Sequence, residues 1–360
     1  MFEKLVDYYD IHCRAQHVPQ VIIRMEFVTP HGLKKADNPL FVGILANTML
    51  STVPGVSGAG PSAAKTLLTP VLDAELITNG AITSMPVRPN TPTGCPTPAT
   101  ITRAVMELLE LSPLFVNAGL VHTPTVPCLD LYGSGGEDPR YSDAMPAAND
   151  IFLKGESLGR LLSRYSDLLV LGECVPGGTT TALCVLRALG YPARVSSSYA
   201  KNPVGIKEEI WETVKARAGS FNPEHPLEIV RITGDPMMAA AAGIVSGSKG
   251  NVLLAGGTQM LAVAAVLKAM GKEVPGIAMT CYVRNDPGAD ITSTGQAIGA
   301  KIFSVDPGFG EIGHPGLARY CIGEVKEGMG AGGAMFLASL QGFTPERIRH
   351  QILSTVSRYH

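Results

Sequence analysis

Apolar residues along this 360-residue chain fall into short runs separated by glycine, proline, serine and threonine. "NPLFVGILANT" (38–48) and "LFVNAGLV" (114–121) read as buried strands. Between them, "TPATITRAVMELLEL" has helical spacing, with Thr97 placed as N-cap and Pro98 at the first helical position. From residue 150 the pattern alternates. Helices are predicted at about 154–166, 179–190, 204–218, 235–247 and 258–270, and strands at 167–172, 194–198, 251–256, 276–283 and 300–306. The last 45 residues read as helical, and the loop-rich stretch 122–148 as a lid or dimer arm. Near the start, Phe2, Leu5, Val6 and Tyr9 suggest an amphipathic helix and "QVIIRMEFV" a strand. Continuous apolar strands alternating with helices predict an α/β fold, a mostly parallel sheet covered on both faces. Ligands of such sheets sit at the carboxyl ends of the strands.

Composition narrows the class. Hydrophobic residues make up 45% of the chain and charged residues 17%, enough for a large core, and the net charge of -2 gives no basic stripe for nucleic acid. The most apolar stretch, Met260 to Met270, includes Lys268 and is shorter than the ~20 residues a membrane span needs. The N-terminal residues are partly acidic with no apolar h-region, so no signal peptide is read and a cytoplasmic protein is expected. Seven scattered cysteines form no CxxC pair, and eight histidines form no metal-binding spacing, so neither a zinc site nor another metal is expected.

Three stretches carry candidate chemistry. "LGECVPGGTTTALCVL" (171–186) ends a strand at Glu173 and opens a helix. The N–H groups of Gly177, Gly178 and Thr179 could face an anion there, aided by the helix dipole. It lacks the lysine of a Walker loop and matches neither GxGxxG nor GxSxG, so it is either a phosphate cradle or a glycine turn capped by Thr179 or Thr180. "LLAGGTQM" repeats the strand–glycine–helix device with Gly256 and Gly257. "GEVKEGMGAGGAM" (323–335) places Glu324 and Glu327 three apart, which on a helix would share a face, amid glycines that disfavour a regular helix through Gly330. His314 reads as a loop hydrogen-bonder and Trp211 as core.

"GECVPGGTTTALCVLRALGY", "LAGGTQMLAVAAV" and "VKEGMGAGGAM", in that order, resemble the nicotinate-nucleotide:dimethylbenzimidazole phosphoribosyltransferase family of cobamide assembly, in its archaeal and cyanobacterial-type branch. "SGAGPSAAKTLLTPVLDAELITNG" and "PTGCPTPATITRAVMEL" resemble the same branch, so the likeness runs from about residue 38 onward. It implies a Rossmann-like large domain (38–310), with a small helical domain formed by 1–37 and 311–360, in a homodimer. It implies a transferase without cofactor that exchanges the nicotinate of nicotinate mononucleotide for an azole base. The alternative is a mononucleotide-binding protein that leaves nicotinate attached.

Glu327 matches the family's general base, in a run Lys326 to Ala331 that includes Gly328 and has Lys326 where the classical bacterial branch has Gly. Glu173 matches a second family glutamate, and Gly177, Gly178, Thr179 and Thr180 match the residues after it, with Gly178 replacing Asn. Lys207 matches the family lysine near the phosphate, and Gly256 with Gly257 matches a strand-end loop that in the bacterial branch holds an Asp-Gly pair.

Overall fold

The computed structural model describes residues 27–29, 31–60 and 62–359. The expected helix at Phe2–Tyr9 and most of the expected strand "QVIIRMEFV" lie outside the described residues. At the end of the latter, Val28 makes an isolated antiparallel bridge to Val305.

Seven strands form one sheet. They are β1 (Pro39–Ala46), β2 (Leu114–Gly119), β3 (Cys128–Asp130), β4 (Leu168–Cys174), β5 (Asn251–Ala255), β6 (Gly276–Thr280) and β7 (Ile302–Val305), in the order β3-β2-β1-β4-β5-β6-β7. Every pairing along that order is parallel. The period-2 geometry of a strand sends neighbours to opposite faces. In β4, Leu169 and Leu171 join a core with helices Ala148–Leu162, Gly178–Ala188, Pro236–Gly247 and Thr258–Ala269. Leu168 and Val170 join a second core with helices Thr69–Asn79, Pro98–Leu109, Ala331–Leu340 and Pro345–Val356. The strands are therefore apolar throughout because both faces are covered.

Several boundaries differ from the sequence reading. Residues 194–198 are not a strand: the Val195 carbonyl accepts from Asn202 Nδ2 and the Ser196 carbonyl from Lys207 Nζ, so side chains replace a ladder. The predicted strand 276–283 ends at Thr280, whose hydroxyl caps a short helix, Cys281–Arg284. Helices Thr69–Asn79 and Pro226–Thr233 were not anticipated. The 122–148 stretch supplies edge strand β3, and none of its residues reaches the cavity described below. Thr97 does occupy the cap position of its helix, but its hydroxyl donates to Asp73 instead of capping.

Chain order runs from β1 outward to β2 and β3, then crosses back to β4 on the other side of β1. The loops leaving β1 and β4 therefore diverge, and a crevice opens beyond their carboxyl ends.

Candidate active site

The crevice holds a cavity of about 210 Å³. Its walls come from residues 56–60 after β1, the helix face at Thr69, Leu72 and Asp73, the 82–98 loop, residues 173–179 after β4, 196–198, 257–259 after β5, and 325–329.

The 325–329 segment is not helical. Val325, Lys326 and Met329 adopt positive φ values of 64°, 62° and 46°. Side-chain-bearing residues are uncommon there, and a β-branched valine is an outlier. The contortion turns the carboxylate of half-buried Glu327 back onto backbone amides. Its Oε2 accepts from the Thr280 N–H at 2.7 Å, and its Oε1 from the N–H groups of Gly332 at 3.0 Å and Gly328 at 3.3 Å. Burial raises its pKa and those amides oppose the rise, with a net upward shift. Glu324 does not share a face with it. Glu324 accepts from Arg319, Thr91 and Thr93, tying the 91–93 turn to this segment.

Glu173 is the last residue but one of β4 and is 4% exposed. Burial, with repulsion from Asp235 and Glu327, pushes its carboxyl up to about 8, against hydrogen bonds from Val175 N–H and Gln259. Its protonated form is thus favoured near neutral pH. Behind the wall, Lys207 is 2% exposed, and its Nζ meets Thr179 Oγ1 at 3.2 Å and the Ser196 carbonyl at 2.5 Å. Burial, and then the charge of Lys326, lower it to about 7. Lys326 Nζ is held by the carbonyls of Tyr199 and Gly323 and lies 3.5 Å from Asp286, whose carboxylate also accepts from Ser196 Oγ.

No protein-family model matches the chain. A UPF0284 protein of Methanosarcina acetivorans is 42% identical over 338 residues, spanning 91% of this chain and 97% of that one. A UPF0284 protein of Thermococcus gammatolerans is 43% identical over 319 residues, spanning 87% and 96%. The chain belongs to the UPF0284 family. The UPF0284 chain also shares its fold with two solved structures from Thermus thermophilus. One is a nicotinate-nucleotide-dimethylbenzimidazole phosphoribosyltransferase, with a TM-score of 0.58 at 18% identity over 88% of this chain and 84% of that one. The other is CobT, with a TM-score of 0.59 at 18% identity over 87% and 84%.

Most residues singled out in the UPF0284 sequence converge on the cavity. Glu173, Gly177, Gly178, Thr179, Gly257, Glu327 and Gly328 line it, and Lys207 reaches it through Thr179. Gly177 has φ 78° and backs onto Ser51, where a Cβ would meet the Ser51 nitrogen at 2.9 Å. The N–H of Gly178 is not free for an anion, because it donates to the Val175 carbonyl at 2.9 Å. Thr180 and Gly256 stand back from the wall. Thr180 is fully buried, and Gly256 continues the ladder by donating to the Ala278 carbonyl. His314 caps a short helix by accepting from the Leu317 N–H, and Trp211 stacks on Phe221 in the core.

Sequence reasoning passed over Asp73, Asn90 and Gln259, all of which line the cavity. For Asp73 a signal was present: an acid in an apolar helix, "TPVLDAELITN", behind a proline at the helix start. Among the described residues no group of His, Cys, Asp and Glu could hold a metal ion, and no helix is long and apolar enough to cross a membrane.

Proposed function

We propose that this chain is a phosphoribosyltransferase that exchanges the nicotinate of nicotinate mononucleotide for an azole base at ribose C1′, giving an α-riboside phosphate for cobamide assembly. The observation that carries this reading is Glu327: one carboxylate, fixed by three backbone amides, in a cavity whose other wall is the Gly177–Thr179 turn. One of the two Thermus structures of the same fold is named as a nicotinate-nucleotide-dimethylbenzimidazole phosphoribosyltransferase, which supports this reading.

The chemistry asks little of the protein. The leaving pyridinium departs with its bonding electrons as neutral nicotinate nitrogen, so it needs no proton. The attacking azole must lose its N–H proton as its other nitrogen bonds C1′. Glu327 Oε2 keeps a lone pair beyond the one its Thr280 amide occupies, and its raised pKa brings it nearer the proton it must take. Glu173, its protonated form favoured by burial, donates to a ribose hydroxyl. Thr179, Lys207 and the amino end of the helix Gly178–Ala188 receive the phosphate. Catalysis beyond the base comes from holding the azole in line with C1′.

The test is nicotinate release from nicotinate mononucleotide with and without dimethylbenzimidazole or adenine, followed by chromatography. Base-dependent release is expected. Glu327→Gln should lower it by ~10²–10⁴-fold with mononucleotide affinity retained. Tight mononucleotide binding without release by any azole would make the chain a binding protein instead.

A further inference from the structure

One wall of the cavity holds three polar groups without adequate protein partners. Thr69 and Asp73 are four apart on the helix Thr69–Asn79 and so share a face. Thr97, which donates to Asp73, also bonds the Pro89 carbonyl through its N–H, and Asn90 pairs with Pro96, so the turn carrying Asn90 lies against the same wall. Asp73 is 7% exposed, and among the described residues its carboxyl is contacted by Thr97 Oγ1 at 3.4 Å and Cys174 Sγ at 3.5 Å. Asn90 Oδ1 and Thr69 Oγ1 are buried and have no partner among the described residues.

Buried polar atoms in native proteins are almost all hydrogen-bonded, and those that are not call for an occupant. The same wall presents the apolar residues Leu72, Ile82, Val87 and Pro98, with Arg88 and Thr91 on either side of Pro89 and Asn90. Pro98 is also the neighbour of Gly328, where a Cβ would come within 3.2 Å of its Cγ, so the wall adjoins the proposed catalytic base. The phosphate end, at Thr179 and Lys207, is furnished separately.

Resting on the transferase reading, we infer that the acceptor is an amino-substituted heteroaromatic base, with its amine next to a ring nitrogen, and that Asp73 together with Asn90 reads that edge. Asn90 Oδ1 accepts from the amine. Asp73 donates its proton to the ring nitrogen, since burial pushes its carboxyl up to about 7 and keeps much of it protonated at neutral pH. An apolar edge such as a pair of methyl groups would leave Asn90 Oδ1 unpaired and Asp73 with only Thr97 and Cys174. The site would then lose affinity for the very shape its apolar residues fit.

The test is equilibrium binding of matched bases by calorimetry, which does not depend on turnover. The pairs are adenine with purine, which differ only in the amine, and 5-azabenzimidazole with benzimidazole, which differ only in the ring nitrogen. The first member of each pair should bind about tenfold tighter or more, the scale of one lost buried hydrogen bond. Asp73→Leu should bring the azabenzimidazole and benzimidazole within about threefold without weakening benzimidazole. Asn90→Ala, in the loop, should close the gap between adenine and purine, a readout that stands should Asp73→Leu not fold. Equal binding within each pair by the wild type, or tighter binding of dimethylbenzimidazole than of adenine, overturns the inference. Failure of the transferase reading would look different: bases that bind selectively yet release no nicotinate.

Discussion

The backbone N–H of Thr280 donates to Glu327 Oε2 at 2.7 Å, while the Thr280 hydroxyl donates to the Lys326 carbonyl at 2.6 Å. Thr280 is the last residue of β6, so the proposed base is fixed to a strand end and not left on a free loop. Rigid support of this kind separates a positioned carboxylate from one that merely lies nearby.

Gly332 provides the other half of that support. A Cβ there would lie 2.3 Å from the Met279 carbonyl carbon and 2.4 Å from the Thr280 nitrogen, both backbone atoms that cannot yield cheaply. Gly332→Ala must therefore push the helix Ala331–Leu340 off β6 and stretch the 3.0 Å bond from its N–H to Glu327. Nicotinate release should fall by at least about tenfold, and the melting temperature should drop as for an overpacked core. An alanine variant with wild-type turnover would mean the glutamate is not held from this side.

Lys207 should control recognition of the phosphate. Lys207→Met should weaken nicotinate mononucleotide binding by roughly 10–100-fold, as for loss of a charged hydrogen bond, and leave nicotinate riboside binding unchanged. Because burial lowers the free lysine to about 7, binding above that pH must take up a proton, and affinity should fall by up to about tenfold per pH unit. Calorimetry in two buffers of different ionisation heat would reveal the uptake in the wild type and its loss in the variant.

The buried acids set the pH dependence of stability. Glu173, Asp73 and Asp235 titrate at about 8, 7 and 6 in the folded chain and near 4 when unfolded. The folded state therefore binds more protons from about pH 4 to pH 8, and stability falls as pH rises through that window. Lys207 acts oppositely, since its pKa is lower folded than unfolded, and it returns stability from about pH 7 upward. Glu173→Gln removes one contributor. Its urea-unfolding free energy should decline less steeply between pH 5 and 8, by up to about 1.4 kcal/mol per pH unit, and should exceed that of the wild type at pH 8. Parallel curves for the two proteins would show that Glu173 holds no proton there.

The sheet was legible in the sequence because strands buried on both faces leave unbroken apolar runs, as in "DLLVL" before Glu173 and "NVLLA" in β5. The helix Val204–Ala218 matched its expectation to the residue. Residues 194–198 misled because their backbone groups serve side-chain contacts in place of a ladder, with Ser196 giving its carbonyl to Lys207. The turn that aims Glu327 was invisible for a related reason. Val325, Lys326 and Met329 give no sequence sign of left-handed conformations, which are imposed by Thr102 Oγ1 on the Met329 carbonyl and Ser198 on Val325 N–H. Asp73 was passed over because burial, not spacing, gives it meaning.

The cavity closes only when distant parts of the chain meet. Glu324 holds Thr91 across 233 residues, and Thr102 holds Met329 across 227. Contacts so distant in sequence carry a large loop-closure entropy, which the rest of the fold must offset. A small molecule seated there is thus coupled to the fold as a whole and not to one hinge, and its occupancy should appear as a rise in melting temperature that grows with the logarithm of its concentration. Candidate bases and mononucleotides can be ranked by that shift alone, before any reaction is assayed.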